Sequence, residues 1–341
     1  MIDNNGSYAC FDDAAATLLI NKVVENRNTG IINQASINAL LAKVNSLTKR
    51  LNIVESKSTV KVLDNSTVEG YYTSTDKDLA VVDLTMSSTV NPSWALIGNT
   101  VEITDSYAEN ITLAATATDG GDVTIDNLTT NGILDKSVSN AAIKVNGNGI
   151  INIANCSIGQ DDYNAIEIGL GNTRPTRITI SNCDFDNTSS NNAISIFDTA
   201  DNCVVTIENC HFASVSNVLR LSNRSNASGV KINFVNCTWD ELERNLNYRA
   251  VVLCQDYTSA TQETVINRNL FGNGKIEITF TDCTDETGNR VIMPDDSSWA
   301  GTGEGRLVYV YADHWANGAA GKVSYDEHPE MFPNVSVHNT D

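Results

Sequence analysis

Apolar and polar residues alternate in a short string that recurs along the middle of the chain. The string reads INIANCSI at 151–158, ITISNCDF at 178–185, VTIENCHF at 205–212 and INFVNCTW at 232–239, with a looser copy, ITFTDCTD, at 278–285. Alternation with a period of two predicts a β-strand that buries one face. Each copy then places Asn-Cys, or Asp-Cys in the last one, before the next strand residues.

The spacing of these strings indicates a solenoid. Successive cysteines of the string are separated by 27, 27, 27 and 46 residues, so the last interval is one period plus an insertion. A constant period of this size is typical of stacked coils. A second strand is predicted in each coil, at 140–145, 164–169, 192–197, 217–222, 249–254 and 306–311. Stacking such coils about 4.8 Å apart would bury their apolar faces continuously.

The repeated Asn-Cys pair predicts two parallel ladders. We expect the cysteines to face inward, each thiol over the next, as small buried hydrophobes; they are Cys156, Cys183, Cys210, Cys237 and Cys283. The preceding asparagines should face outward or mark a bend, with amides bonded from coil to coil; they are Asn155, Asn182, Asn209 and Asn236. Disulfides or a metal are the alternative, but the sequence has no C-x-x-C pair. We therefore predict no metal site and no cofactor.

The rung V-x-I-x-N-C-x-F and its 27-residue coil resemble the right-handed parallel β-helix of the pectate-lyase-like superfamily. The clear rungs cover about 122–311, and weaker ones at 59–66, 79–85 and 100–106 extend the pattern toward the N-terminus. The resemblance implies an all-β solenoid over 58–311, with an insertion at about 240–272. A fold of this kind does not by itself imply an activity.

The residues before the solenoid have a different period. In the segment 31–57, apolar residues fill positions a and d of three successive heptads. This pattern predicts an α-helical coiled-coil stem, and Leu41 widens the apolar stripe as in trimers. The trimerisation residues would be Ile37, Leu40, Val44, Leu47, Leu51 and Val54. The alternative is a single amphipathic helix that caps the first coil. Residues 1–30 would form a small docking element.

A helical stem followed by a β-helix resembles bacteriophage fibres and tailspikes. The resemblance implies a homotrimeric virion protein, assembled in the host cytoplasm, that binds a phage capsid or tail protein through its N-terminus. The β-helix would project outward for host attachment. The short solenoid favours a head fibre, a capsid decoration or a short tail fibre over a depolymerising spike. A cellular β-helix adhesin is a third interpretation, against which the lack of a recognisable secretion signal counts.

One string suggests catalysis. IGQDDYNAIEIG, at 158–169, resembles the Q-D-D motif of polygalacturonase-type β-helix hydrolases. The resemblance implies that Asp161 and Asp162 would be the paired carboxylates of a carbohydrate-cleaving tailspike. The Asn-Thr-Asp, Gly-His-Gly and Arg-x-Lys parts of the family's pattern are missing. We therefore prefer a solvated Asp-Asp turn and do not predict an enzyme, with the depolymerase as the alternative.

Other polar residues offer weaker candidates. Arginines on neighbouring coils could serve a lyase but are expected at the surface; they are Arg174, Arg177, Arg220 and Arg224. Asp198 and Asp201 could bind calcium, although no known loop spacing supports it. His211 alternates with its neighbours and should face outward.

The charge of the chain limits its possible partners. The chain has 22 basic and 42 acidic residues, a net charge of −20, which argues against nucleic acid and an anionic membrane surface as partners. No apolar run is long enough for membrane insertion.

The tail, 312–341, should cap the open edge of the last coil or form a distal tip. Trp299, Trp315 and Tyr325 are candidate contacts for a host-surface glycan or receptor, because aromatic rings stack on sugars.

Overall fold

The structure, a computed structural model, describes most of the solenoid and little of the N-terminus. The described residues are 21, 60–63, 71–73, 78–83, 85–86, 93–108, 110–117, 121–130, 141–160, 164–171, 173–187, 192–213, 217–221, 227–239, 250–256, 276–285, 306–312 and 335–340. The chain divides into two compact units, Met1–Val62 and Leu63–Asp341. Apart from Asn21, which is helical, the predicted docking element lies outside the described residues, as do the stem and its six trimerisation residues.

The described residues form 25 β-strands. In chain order they are β1 Val60–Leu63, β2 Tyr71–Thr73, β3 Asp78–Val82, β4 Thr85–Met86, β5 Ser93–Gly98, β6 Val101–Ala108, β7 Asn110–Ala115, β8 Val123–Thr130, β9 Ile143–Asn146, β10 Ile150–Ala154, β11 Ser157–Gln160, β12 Ile166–Ile168, β13 Arg177–Ser181, β14 Asp184–Asn187, β15 Asn192–Ile196, β16 Val204–Glu208, β17 His211–Ala213, β18 Asn217–Leu221, β19 Lys231–Val235, β20 Thr238–Trp239, β21 Ala250–Asp256, β22 Ile276–Thr281, β23 Thr284–Asp285, β24 Arg306–Ala312 and β25 Val335–Thr340.

The strands stack into two sheets, one with sixteen described strands and one with nine. A central coil runs through β13 and β14 in the first sheet and then β15 in the second. Each of these strands pairs in parallel with its equivalent one coil on, β16, β17 and β18. The coil step equates Ile178 with Val205, 27 residues later. The predicted parallel β-solenoid is therefore confirmed in this part of the chain.

Inward-facing apolar residues form continuous columns in the core. On the first sheet, Ile151, Ile178, Val205, Ile232 and Ile278 occupy one register position and are all fully buried. Burial of one such side chain contributes about 1.5–3 kcal/mol, so a column that runs through five successive coils contributes substantially to the cohesion between them.

Aromatic rings also stack along the core. Phe185 and Phe212 lie with ring centroids 4.7 Å apart, and Phe234 and Phe280 lie 4.9 Å apart. Offset stacking of this kind adds about 0.5–1.5 kcal/mol per pair to the effect of burial. Since these rings belong to successive coils, the contacts hold the coils at their regular spacing.

The longer interval before the last cysteine does not disturb the register. Thr238 pairs with Thr284, and the amide of Thr284 donates to the carbonyl of Cys237 at 3.0 Å. Within the predicted insertion, 240–272, β21 is a regular strand of the second sheet that pairs with β18. The other residues of that range lie outside the described part of the chain.

Part of the C-terminal tail is a strand of the solenoid. β25 pairs in parallel with β22, and Ser336 Oγ donates to the carbonyl of Ile276 at 3.5 Å. The tail predicted as cap or tip therefore contributes a further rung to the first sheet. The aromatic candidates Trp299, Trp315 and Tyr325 lie outside the described residues.

Candidate functional site: three ladders and a partly buried polar row

The asparagine of each Asn-Cys pair forms the bend between two strands of the first sheet. Its backbone is left-handed, with φ between 50° and 56°. Asparagine tolerates this conformation better than any other residue except glycine. The bend residues are Asn155, Asn182, Asn209 and Asn236, and all are exposed.

These exposed amides bond to one another from coil to coil, and we call them the outer ladder. Asn236 Nδ2 donates to Asn209 Oδ1 at 2.8 Å, and Asn209 donates in turn to Asn182 at 3.2 Å. Asn182 donates to Asn155 at 3.2 Å, and Asn155 donates to Asp126 Oδ1 at 2.7 Å. Every amide donates toward the N-terminal coil, and the run ends on a carboxylate.

Sequence reasoning missed four further bend residues of the same type. Asp83, Asp105, Asn127 and Asp282 also have left-handed backbones, with φ between 49° and 58°. Asn127 Nδ2 donates to Asp105 Oδ1 at 2.7 Å, across a step of 22 residues. The signal was present, because an Asp or Asn follows each weaker rung. The bends at Asp83, Asp105 and Asn127 carry no cysteine and follow one another at intervals of 22 residues, whereas Asp282 precedes Cys283 and differs from the other Asn-Cys bends only in its carboxylate.

The five cysteines of the repeat form a thiol ladder in the core. All are free and at most 3% exposed. Each Sγ donates to the carbonyl two residues earlier, across the bend residue, which is an asparagine in four cases and Asp282 before Cys283. The Sγ–O distances are 3.1 Å in Cys156, 3.2 Å in Cys183, 3.3 Å in Cys210 and 3.4 Å in Cys237 and Cys283. The thiol therefore closes the bend as well as filling the core.

An earlier coil makes the same bend with a hydroxyl. Ser106 follows the left-handed Asp105, and its Oγ donates to the carbonyl of Thr104 at 2.8 Å. The position therefore suits a small side chain that can donate one hydrogen bond backward.

Neighbouring thiols also influence one another's ionisation. Hydrogen bonds with adjacent thiols, followed by burial, raise the pKa of Cys156, Cys210 and Cys283. Away from the ladder, burial raises the pKa of Cys203 to about 12. A thiol with a raised pKa carries little thiolate at neutral pH, so these four cysteines are poor nucleophiles.

A second set of amides lies inside the protein, and we call it the inner ladder. Asn217 Nδ2 donates to Asn192 Oδ1 at 3.0 Å, and Asn192 donates to Asn164 at 2.7 Å. Asn164 Nδ2 then donates to Glu167 Oε1 at 2.9 Å. All four side chains are buried. Sequence analysis did not single them out, although an asparagine opens each of the predicted strands at 164–169, 192–197 and 217–222.

A row of polar and charged side chains crosses the second sheet; it is buried at Glu167 and Ser195 and half-buried at Lys144 and Arg220. Lys144, Glu167, Ser195 and Arg220 occupy one register position on β9, β12, β15 and β18. Ser195 is 1% exposed, and its Oγ has no hydrogen-bond partner within the described part of the chain. The guanidinium carbon of Arg220 lies 5.7 Å from the centre of the Phe197 ring. The row thus alternates positive, negative, neutral and positive groups along the solenoid.

The other sequence candidates have ordinary structural partners. Arg174 Nε lies 3.6 Å from Asp198 Oδ2, and Arg177 is exposed on β13. Asp201 Oδ1 accepts from the amide of Ser228 at 2.8 Å.

The exposed histidine of the repeat faces outward as expected. His211 Nδ1 lies 3.0 Å from Asp184 Oδ1 on the neighbouring coil.

Asp161, Asp162 and Arg224 lie outside the described residues. Within the described ranges, no group of three or more His, Cys, Asp or Glu side chains is arranged to hold a metal ion. The same residues include no helix long and apolar enough to cross a membrane.

Comparisons with models of protein families, with curated proteins and with solved structures gave no match.

Proposed function

We propose that this chain is a structural protein of a bacteriophage particle, a homotrimeric head fibre, capsid decoration or short tail fibre. Its N-terminal residues would attach to a capsid or tail protein, the capsid being the favoured site. The β-solenoid would then present a surface to the host, with Trp299, Trp315 and Tyr325 as candidate contacts for a glycan or receptor. The protein would be assembled in the host cytoplasm and reside in the virion.

The use of polar side chains in the solenoid is the observation that supports a structural role best. In the outer and inner ladders, amides and carboxylates bond to each other from coil to coil. In the thiol ladder, small side chains close backbone bends. Groups engaged in this way hold a regular scaffold together, which is the requirement for a fibre that presents a surface.

The trimeric stem is tested by the mass of the full chain in solution. Leu40 and Leu47 occupy d positions of the predicted heptads, so aspartate at both would place charges in the seam. Light scattering should give a trimer for the wild type and a monomer for the Leu40→Asp, Leu47→Asp variant. Ser46→Asp, which adds a charge at the outward c position, is the matched control and should stay trimeric.

Other masses in solution, for the wild type or for the variant, would contradict the proposed stem. A monomeric wild type would exclude the coiled coil and make 31–57 a helical cap on the first coil. A trimer that survives both aspartates would move the association from the stem to another part of the chain.

The alternative function is a carbohydrate-cleaving tailspike that uses Asp161 and Asp162. Cleavage of a host polysaccharide by the full chain, abolished in the Asp161→Asn, Asp162→Asn double variant, would establish it. If the double variant cleaves as fast as the wild type, the two aspartates have no catalytic role and any activity must come from elsewhere.

A further inference from the structure

We propose that the first sheet presents one column of polar side chains to the threefold axis of a homotrimer, so that three copies of this chain contact one another along that column. We call the column the polar strip. It consists of Thr124, Asn152, Thr179, Thr206, Asn233 and Thr279. The inference rests on the proposed trimer and names the surface of the solenoid through which its copies meet.

The polar strip is regularly spaced along the solenoid. Its residues share one register position on six successive strands, β8, β10, β13, β16, β19 and β22. Each is half-buried and lies between two fully buried residues of its strand, so its side chain points away from the core. Neighbouring strands are about 4.8 Å apart, so the strip runs for about 24 Å. Another copy of this chain has the same repeat and can match the strip coil by coil.

The side chains of the polar strip have unused hydrogen-bonding capacity. Within the described part of the chain, no hydrogen bond joins any of the six to another protein group. On the same coils, by contrast, the amides of Asn182 and Asn209 bond to each other at 3.2 Å. Threonine hydroxyls and asparagine amides each contain a donor and an acceptor. Identical columns of other copies can therefore bond to the strip, directly or through water.

Charge distinguishes the polar strip from the columns on either side of it. Residues on a threefold axis face copies of themselves, so a charge there would meet two like charges at close range. The chain carries a net charge of −20, yet the strip is uncharged through all six coils. The flanking columns contain Arg177, Lys231 and Glu277 on one side and Asp126 and Glu208 on the other. Of these three columns, only the strip can lie on the axis without like charges meeting.

The two flanks carry opposite charges at the level where they would meet. Around a threefold axis, one flank of each copy lies beside the other flank of the next copy. Arg177 and Lys231 are positive on one flank, and Glu208, on the coil between them, is negative on the other. Such complementarity favours a single register between copies. Because the proposed stem already joins the three chains, the contact forms at a high effective concentration and can be narrow.

The test places one new thiol on the polar strip of the full chain. Thr206→Cys changes the middle of the strip, so the three new thiols should meet around the axis. The six described cysteines of the wild type are free and buried, and the wild type serves as the blank for Cys10 and Cys254. The reduced protein is treated with a short bis-maleimide and separated on a denaturing gel. We expect covalent dimers to be the main product.

Asp186→Cys is the matched control. Asp186 is also exposed on a strand of the first sheet, but it belongs to β14, beyond the asparagine bend. Its new thiols should lie away from the axis, and the yield of covalent dimer should equal that of the wild type. Light scattering gives the mass of each variant in solution and so reports the trimer independently of the cross-link.

The outcomes separate this inference from the proposed function. A trimer in which Thr206→Cys gives no more dimer than the wild type, or in which Asp186→Cys gives as much as Thr206→Cys, would overturn the polar strip as the contact and leave the trimer standing. Monomers of the wild type and of both variants would overturn the trimer and the contact with it.

Charged substitutions provide a second, independent measurement. Thr206→Glu and Thr206→Lys would each place three like charges around the axis, so both should lower the Tm of the full chain, and both losses should shrink in high salt. Thr206→Gln introduces a side chain of similar size without a charge and should lower the Tm less. Equal losses for the three variants would overturn the proposal even if the cysteine variants failed to fold.

Discussion

The outer and inner asparagine ladders make the same bond in opposite surroundings. Both consist of amides that bond from coil to coil, and both end on a carboxylate: Asp126 on the coil before Asn155 outside, and Glu167 on the same coil as Asn164 inside. The outer asparagines have left-handed backbones, and the inner ones are absent from the left-handed set of the described residues. Asparagine is therefore required outside mainly for its backbone and inside for its amide group.

This difference changes which substitutions should be tolerated. Water replaces a lost hydrogen bond at the exposed corner, whereas a buried donor or acceptor left without a partner costs about 1–3 kcal/mol. A left-handed backbone costs a residue with a β-carbon about 1–2 kcal/mol. The two ladders should thus respond in opposite order to alanine and glycine.

The largest effect is expected from Asn192→Ala in the inner ladder. The change leaves Asn164 Oδ1 and Asn217 Nδ2 without their present partner, in a region where all three side chains are buried. Two such groups should lower the free energy of unfolding by about 2–6 kcal/mol, measured by urea denaturation. Asn192→Gly should be no better than alanine. If Asn192→Ala loses less free energy of unfolding than the outer Asn182→Ala variant, the expected contrast between buried and exposed amides is wrong.

The carboxylate at the end of the inner ladder should show the next largest effect. Glu167→Ala removes the acceptor of Asn164 Nδ2, a bond of 2.9 Å between buried groups, and should cost about 1–3 kcal/mol. Glu167→Gln retains an acceptor oxygen and should recover much of the loss. Equal unfolding curves for the two variants would show that this hydrogen bond contributes little.

At the exposed corner the order should reverse. Asn182 has φ of 52°, so Asn182→Ala should cost about 1–2 kcal/mol through the backbone. Asn182→Gly relieves the steric strain and should lie closer to the wild type in thermal or urea unfolding. A glycine variant less stable than the alanine variant would mean that the outer amide bonds matter more than the bend.

The smallest effect is expected from an ion pair between exposed side chains of neighbouring coils. Lys231 Nζ lies 3.3 Å from Glu277 Oε2, with both side chains well exposed. Such pairs contribute between zero and about 1 kcal/mol. Glu277→Gln should therefore shift the unfolding midpoint little, and the shift should shrink further in high salt. If Glu277→Gln lowers the free energy of unfolding more than Asn182→Ala does, the expected order of the two effects is wrong.

Regular spacing determined what could be predicted from sequence. The 27-residue interval identified the strands and their parallel stacking, and it kept Cys283 in line with Cys237 across the insertion, as the pairing of Thr238 with Thr284 shows. The shorter early coils were recognised only as weak rungs. Their bends at Asp105 and Asn127 are followed by Ser106 and Leu128 instead of cysteine, so the chemical marker was missing although the backbone conformation was the same.

The inner ladder escaped prediction for a related reason. Its steps are 28 residues from Asn164 to Asn192 and 25 from Asn192 to Asn217. The connections before the second sheet vary in length, so a fixed interval does not align these residues. Burial of Glu167 and Ser195 in that sheet depends on neighbouring side chains, which the alternation of apolar and polar residues does not report.

The common direction of the amide bonds gives the solenoid a polarity in its assembly. Each new coil brings a donor, and the acceptor it needs is already in place on the coil before. A chain synthesised from its N-terminus can therefore fold sequentially, with one coil added at a time onto the coil before it, as in the nearest-neighbour description of repeat proteins. Removing rungs from the C-terminal side leaves only unused acceptors, whereas removing Asp126 or Glu167 would leave the first donor of its row, Asn155 or Asn164, without its acceptor.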